Sequence, residues 1–171
     1  EAKFNFDLFK EHIAKAMHLM DDIIDLELEK VNLIISKIES DPEDQDVRRV
    51  ELELWKKIKD MALKGRRTGL GITAEGDMLA ALGLRYGSEE AIDFAVEVHK
   101  TLAVEAYRAS VMMAKDRGAF GVFNFEKEQG NPMIGRILEA APELRELMQQ
   151  YGRRNIAMLT IAPTGTTSLM S

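Results

Sequence analysis

Towards its end the sequence runs Asn155-Ile-Ala-Met-Leu-Thr-Ile-Ala162 and then Pro163-Thr164-Gly165-Thr166-Thr167-Ser168. The first stretch has the apolar character of a buried strand, and the second that of a small-residue turn opening a helix. A strand followed by such a turn gathers backbone N–H groups that have no partner within the helix, and the helix dipole adds to their pull on an anion. The hydroxyls of Thr164, Thr166, Thr167 and Ser168 are further donors, and Gly165 places no Cβ in the way of a ligand. That layout suits an anion such as phosphate. It is not a Walker loop, because the GxxxxGK[ST] spacing and its Lys are absent. An ordinary capped helix with a Thr-rich first turn fits the same residues.

Other residue sets are weaker. His18, Asp21 and Asp25 share one helix face and could hold a metal in a helical bundle. The Glu-x-x-His spacing of a di-iron site is missing before His12, His18 and His99, so a solvated acidic face is the expectation. Arg66-Arg67 and Arg153-Arg154 could clamp an anion bidentately, or form structural salt bridges. The structural role is expected for the first pair, while the second lies nearer the phosphate-type turn. Glu75 and Asp77, separated by one residue, diverge on a helix and make no acid–base pair. His99 falls on the apolar face of its helix, as a satisfied, partly buried histidine would. No nucleophile–base–orienter set is visible.

The elements that must carry these residues are mostly helical. Apolar residues from Phe9 to Val31 recur at helical spacing, predicting one helix from about Asp7 to about Ile38. Asp41 and Pro42 predict the start of a second helix with an apolar stripe of Val47, Val50, Leu54, Ile58 and Met61, ended by Gly65. Thr68 to Thr73 reads as a short buried strand, with backbone packed closely at Gly69 and Gly71. Helices follow over Asp77–Leu82, from Ser88 to near Gly118, over Met133–Leu138 and over Pro142–Tyr151. Between them, the three Phe of "GAFGVFNFEKEQGNP" are expected to pin a loop to the core. The fold class is therefore mainly α with two short strands. These either pair with each other or find partners outside this chain.

Composition narrows the function. A net charge of −6 disfavours nonspecific nucleic-acid binding. There is no cysteine, hence no disulfide, Cys-ligated zinc or thiol chemistry from these residues. No apolar run reaches the ~20 residues that span a bilayer, and "EAKFNFDLFK" is not a signal peptide. A cytoplasmic location is expected, without a membrane partner. The first residue is not Met, and a piece of a longer chain is expected.

The order of segments resembles the large, catalytic subunit of ribonucleotide reductase, in the later part of its catalytic barrel domain. "GRRTGLGITAEGDMLAALGLRYGSEEA" is similar to the family's paired-Arg, Gly-x-Gly strand leading into a short helix. "AKDRGAFGVF" matches the end of its long helix, and "RRNIAMLTIAPTGTTSLMS" is the most specific piece. The APTGT-x-S form resembles the adenosylcobalamin-dependent (class II) type. The resemblance is close over 65–171 and rests on helical layout over 1–64.

That resemblance implies a fragment of a ten-stranded α/β barrel. Residues 1–171 would be a single partial domain, with 1–64 a helical hairpin carrying a lineage-specific extension and 65–171 barrel ending in the substrate phosphate loop, which the resemblance places at Pro163, Thr164, Gly165, Thr166, Thr167 and Ser168, binding mostly through backbone N–H groups. In the intact enzyme a cysteine thiyl radical abstracts the ribose 3′ hydrogen and a cysteine pair supplies two electrons, so this chain alone, lacking those cysteines, is expected to be inactive and to hold no catalytic residue and no metal. The implied partners are a ribonucleoside di- or triphosphate, the remainder of the barrel and a thioredoxin-type reductant. Adenosylcobalamin is implied for the full-length enzyme and not for this piece. The alternative is a stand-alone helical protein that binds a phosphorylated ligand or a partner helix; an open reading frame continuing on both sides separates the two.

Overall fold

Asn5 opens the first helix by accepting a hydrogen bond from the Leu8 N–H at 3.0 Å, the usual way of satisfying an orphan donor of the first turn. The structure, a computed structural model, describes residues 2–169; Glu1, Met170 and Ser171, at the ends of the expected 1–171 domain, lie outside the described residues. Helix α1 spans Phe6–Ser40. Its stripe of Ile13, Met17, Ile24, Leu28 and Val31 is buried, and α1 packs against α2 (Gln45–Gly65) and α4 (Glu89–Arg117). Burial of such side chains is worth roughly 1.5–3 kcal/mol each.

The cap of α2 is Asp44, which accepts from the Asp46 N–H at 2.8 Å, and not Asp41. The stripe expected to be its core face is turned outward, with Val47, Val50, Leu54 and Met61 exposed. Of that stripe only Ile58 is half-buried, together with its neighbours Trp55 and Ala62, because a hairpin partner lying along one side of a helix covers only about a third of its circumference. Helix α2 ends at Arg66, whose φ of 45° turns the chain sharply inward.

The remaining helices are α3 (Glu75–Ala81), α5 (Phe125–Glu128), α6 (Pro132–Ala140) and α7 (Leu144–Tyr151). Ser88 caps α4 by accepting from the Ala91 N–H, and Asn131 caps α6 with Pro132 in the first turn. Helix α4 is the central element: Leu102, Ala106, Val111 and Met113 meet Ile134, Leu144 and Met148 in the core. Helix α5 lies inside the segment expected to be a loop. Phe120 and Phe123 contact edge to face at 5.5 Å, and Phe120 is buried, so ring pinning of that segment is seen.

Two short strands within a ten-stranded α/β barrel are not what is found: among the described residues there is no strand and no sheet. The segments 66–73 and 155–162, outside any helix, run beside each other, with only one isolated parallel bridge between them, Leu70 with Leu159. A ladder needs a run of paired residues. Here the contact consists of the Thr68 N–H to Ala157 O at 2.9 Å, Leu70 N–H to Met158 O at 2.7 Å and Thr160 N–H to Leu70 O at 3.0 Å. The helix expected after Pro163 is a single 3-10 turn, Thr167–Leu169. Among the described residues no helix is long and apolar enough to cross a membrane.

Candidate functional site

The scaffold of the site begins with one carboxylate. Asp21 fills the gap that the α1 stripe leaves between Met17 and Ile24, and it is 0% exposed. Its Oδ1 accepts from Arg66 Nε at 2.8 Å and from Asn155 Nδ2 at 3.0 Å. Its Oδ2 accepts from Arg154 Nε at 3.1 Å and Arg117 Nη1 at 3.3 Å. Arg66 also donates to the Asp21 carbonyl and to Asp25, and Arg117 to Asp22. Asn155 donates a second bond to the Arg66 carbonyl at 3.1 Å. Its Oδ1 and N–H meet the Ser110 hydroxyl at 2.9 and 3.1 Å. Among the described residues no buried side-chain polar atom lacks a partner.

Three aspartates thus face three arginines, and their charges cancel. Burial pushes the Asp21 carboxyl up, but the hydrogen bonds and charges of Arg66 and Arg154 outweigh it and hold it below the ordinary carboxylate range. Burial likewise works against the Arg66 cation, and Asp21 with Asp25 more than restores it. The oxygens of Asp21, Asp22 and Asp25 lie within 4.8 Å of one another. Each carboxylate already accepts from an arginine, so a cation there would meet the positive charge of three guanidinium groups. The solvated acidic face expected here is, at Asp21, a buried ion-pair cluster.

Of the first arginine pair only Arg66 enters this cluster, Arg67 being exposed; in the second pair both are structural. Arg153, nearly fully buried, donates to both oxygens of Glu128 and to the carbonyls of Asn155 and Ile156. Its guanidinium lies over the rings of Tyr107 and Phe120, at 5.3 and 5.4 Å from the centroids. Burial pushes the Tyr107 phenol up, with Arg153 opposing. Arg154 also donates to the carbonyls of Arg117 and Gly118, tying the last extended segment to the end of α4.

From this anchor the two extended segments run side by side to the loop. A Cβ on Gly71 would lie 2.6 Å from the Thr160 carbonyl oxygen, and one on Gly69 3.1 Å from Thr160 Cγ2. The glycines therefore permit the close approach that the sequence anticipated. Beyond Thr160 the chain emerges: Ile161 is 91% exposed. Pro163, Gly165, Thr166, Thr167 and Ser168 are exposed, and Thr164 is half-buried.

The loop folds on itself. Ser168 N–H donates to the Thr164 carbonyl at 2.7 Å and Leu169 N–H to that of Thr166 at 3.2 Å. The Thr167 and Ser168 hydroxyls donate to the carbonyls of Thr164 and Gly165. The amides of Gly165, Thr166 and Thr167 meet no acceptor among the described residues. A Cβ at Gly165 would meet nothing within 4 Å, and its φ is not positive. The fold itself therefore does not require glycine there.

Thr164 and Ser168 line a cleft with Glu75, Asp77 and Tyr86. Glu75 also meets His99 Nε2 at 3.2 Å, and the two line a second cleft with Leu102, Met133 and Leu159. His99 is thus partly buried and partnered, as expected. Sequence reasoning missed Asp21, Ser110 and Asn155 as a unit. A signal existed, since an Asp sitting in register within an apolar stripe is a candidate for paired burial.

The family model described as "Ribonucleotide reductase, barrel domain" matches residues 1–171. Among curated relatives, "Ribonucleoside-diphosphate reductase subunit alpha" of Chlamydia pneumoniae is 26% identical over 97% of this chain and 15% of its own length. "Vitamin B12-dependent ribonucleoside-diphosphate reductase" of Mycobacterium tuberculosis (strain CDC 1551 / Oshkosh) is 26% identical over 100% of this chain and 18% of its own. The protein of that name from Thermoplasma acidophilum is 28% identical over 99% of this chain and 16% of its own. The chain thus spans less than a fifth of the length of these relatives. With a family model matching it from end to end, the chain belongs to the ribonucleotide reductase barrel-domain family.

Proposed function

We propose that this chain supplies the substrate phosphate-binding loop, Pro163 to Ser168, of a ribonucleotide reductase catalytic subunit acting on ribonucleoside diphosphates. The observation that carries this is the run of three adjacent amides, Gly165, Thr166 and Thr167, that meet no acceptor among the described residues, on an exposed turn. Main-chain N–H groups converging in a turn form a concavity suited to an anion. The carboxylates of Glu75 and Asp77 line the neighbouring cleft and disfavour an anion within it, so the phosphate is assigned to the exposed face of the loop. The diphosphate preference follows the names of the relatives.

The part assigned to this chain is positioning. Held by its phosphates, the nucleotide presents its ribose C3′ to a thiyl radical on a cysteine supplied elsewhere, since none of these 171 residues is Cys. Fixing two reactants in near-attack geometry removes translational and rotational entropy from the barrier. The remainder of the barrel and a thioredoxin-type reductant are partners on this assignment, and a cytoplasmic location goes with it.

The finer class is the adenosylcobalamin-dependent one. It is supported by the APTGT form at 162–166 and by the B12-dependent relatives. The residues here do not fit the cofactor itself: the clefts are small, and the one beside the loop is lined by two carboxylates. No step is routed through it. The test is steady-state kinetics of the full-length protein carrying Gly165→Val. The KM for a ribonucleoside diphosphate should rise by about tenfold or more; an unchanged KM contradicts the assignment.

A further inference from the structure

We infer that Asp21 is a positioning residue for the phosphate loop: it clasps the starts of both extended segments and sets the register in which they deliver the loop. This rests on the phosphate assignment to residues 163–168. One oxygen, Asp21 Oδ1, is shared by Arg66 and Asn155, the first residues of the two segments. Asn155 in turn donates to the Arg66 carbonyl, so the three residues close a ring of bonds. Immediately outside that ring the Ile156 N–H donates to the Gly65 carbonyl at 2.9 Å, and the contacts of Thr68, Leu70 and Thr160 continue it. At the far end Gly71 lies against the Thr160 carbonyl, and the loop begins three residues later, at Pro163.

So short a pairing does not define its own register. With a single bridge and no ladder, few main-chain bonds oppose a slip, and a slip of one residue turns every side chain to the opposite face. The specification comes from the buried end. There Asp21 is the only carboxylate bonded to Arg66, Arg117 and Arg154 together among the described residues. A buried polar network in which every member is satisfied has one low-energy arrangement. Loss of the Asp21 charge leaves buried guanidinium groups facing a neutral side chain, which is strongly unfavourable. Asp21 touches no substrate on this account; it acts through Arg66 and Asn155.

The experiment uses the full-length protein with Asp21→Asn, Gly165→Val as the reference variant, and a ribonucleoside diphosphate as the probe. Direct titration gives Kd, and amide hydrogen exchange follows residues 68–72 and 156–162 alongside α1 and α4. The expected result is a folded Asp21→Asn protein with faster exchange in the two segments, retained protection in α4, and a Kd raised about tenfold. A folded protein whose Kd stays within about twofold of the unsubstituted one, while Gly165→Val weakens binding, overturns the role of Asp21 and leaves the phosphate assignment standing. An unchanged Kd in Gly165→Val removes the phosphate assignment, and this inference with it. Should Asp21→Asn fail to fold, Ser110→Ala decides. That variant takes away the hydroxyl on which Asn155 Oδ1 and N–H both rest. Faster exchange at 156–162 with a Kd raised about threefold supports the clasp, and unchanged values overturn it.

Discussion

Gly71→Ala sets two opposed effects of one methyl group against each other. At a position that tolerates a Cβ, Gly→Ala stabilises a protein by about 0.4–1 kcal/mol, because the unfolded chain loses freedom. At Gly71 the new Cβ would stand 2.6 Å from the Thr160 carbonyl oxygen, which is backbone and cannot rotate away. Relief requires one extended segment to move off the other. Overpacking of this kind costs about 1–3 kcal/mol. The movement also strains the Thr160 N–H to Leu70 O bond of 3.0 Å, worth about 1 kcal/mol. The net expectation is destabilisation by about 1–3 kcal/mol. Gly165→Ala is the matched control, since a Cβ there meets nothing within 4 Å, and it should be neutral or slightly stabilising. Urea unfolding of the two variants beside the unsubstituted protein reads the difference. A Gly71→Ala midpoint at or above that of the unsubstituted protein would refute the close apposition of 66–73 and 155–162.

Gly152→Ala should destabilise by more than about 2 kcal/mol, because φ is +74° and the Cβ would sit 2.7 Å from Ala119 Cβ; denaturant unfolding measures it. Arg153→Met should cost about 3 kcal/mol by leaving the largely buried Glu128 carboxylate without its partner, and restoring neutrality with Glu128→Gln in the same chain should recover part of the loss. The Asp21 carboxyl is held below the ordinary range when folded. Its contribution is therefore present above the unfolded value of about 3.9 and lost as pH falls through the lower folded value; acid titration of Asp21→Asn should show a shallower loss of stability than the unsubstituted protein. Added Mg²⁺ or Mn²⁺ should leave the thermal midpoint unmoved, because the Asp21, Asp22 and Asp25 carboxylates are already bonded to arginines; a concentration-dependent rise would argue for a metal site.

Local signals were legible at several helix ends, though not at Asp41, where Asp44 caps α2 instead. Ser88 and Gly118 bracket α4 as their types predict, and the Pro132 start of α6 follows the preference of Pro for a first turn. Gly69 and Gly71 announced a close backbone approach, and the structure has it against Thr160. What periodicity could not supply was the direction of each face. The α2 stripe of Val47, Val50, Leu54, Ile58 and Met61 has helical spacing and yet all but Ile58 are exposed, because spacing defines a face without naming what covers it. Strand character was inferred from the apolar run 155–162, but a strand is a property of a pair, and here the pairing amounts to one bridge. Residues 163–168 stood out in the sequence by type alone, and their role as a phosphate loop is the proposal made above. Their anchor did not, because Asp21, Ser110 and Asn155 lie far apart in sequence and converge only when α1, α4 and the last segment pack.

The most direct measurement is a crystal structure of the full-length protein with a ribonucleoside diphosphate bound. It should show phosphate oxygens within hydrogen-bond distance, about 2.7–3.2 Å, of the main-chain nitrogens of Gly165, Thr166 and Thr167. Phosphates held by other residues, with those three nitrogens turned to solvent, would contradict it.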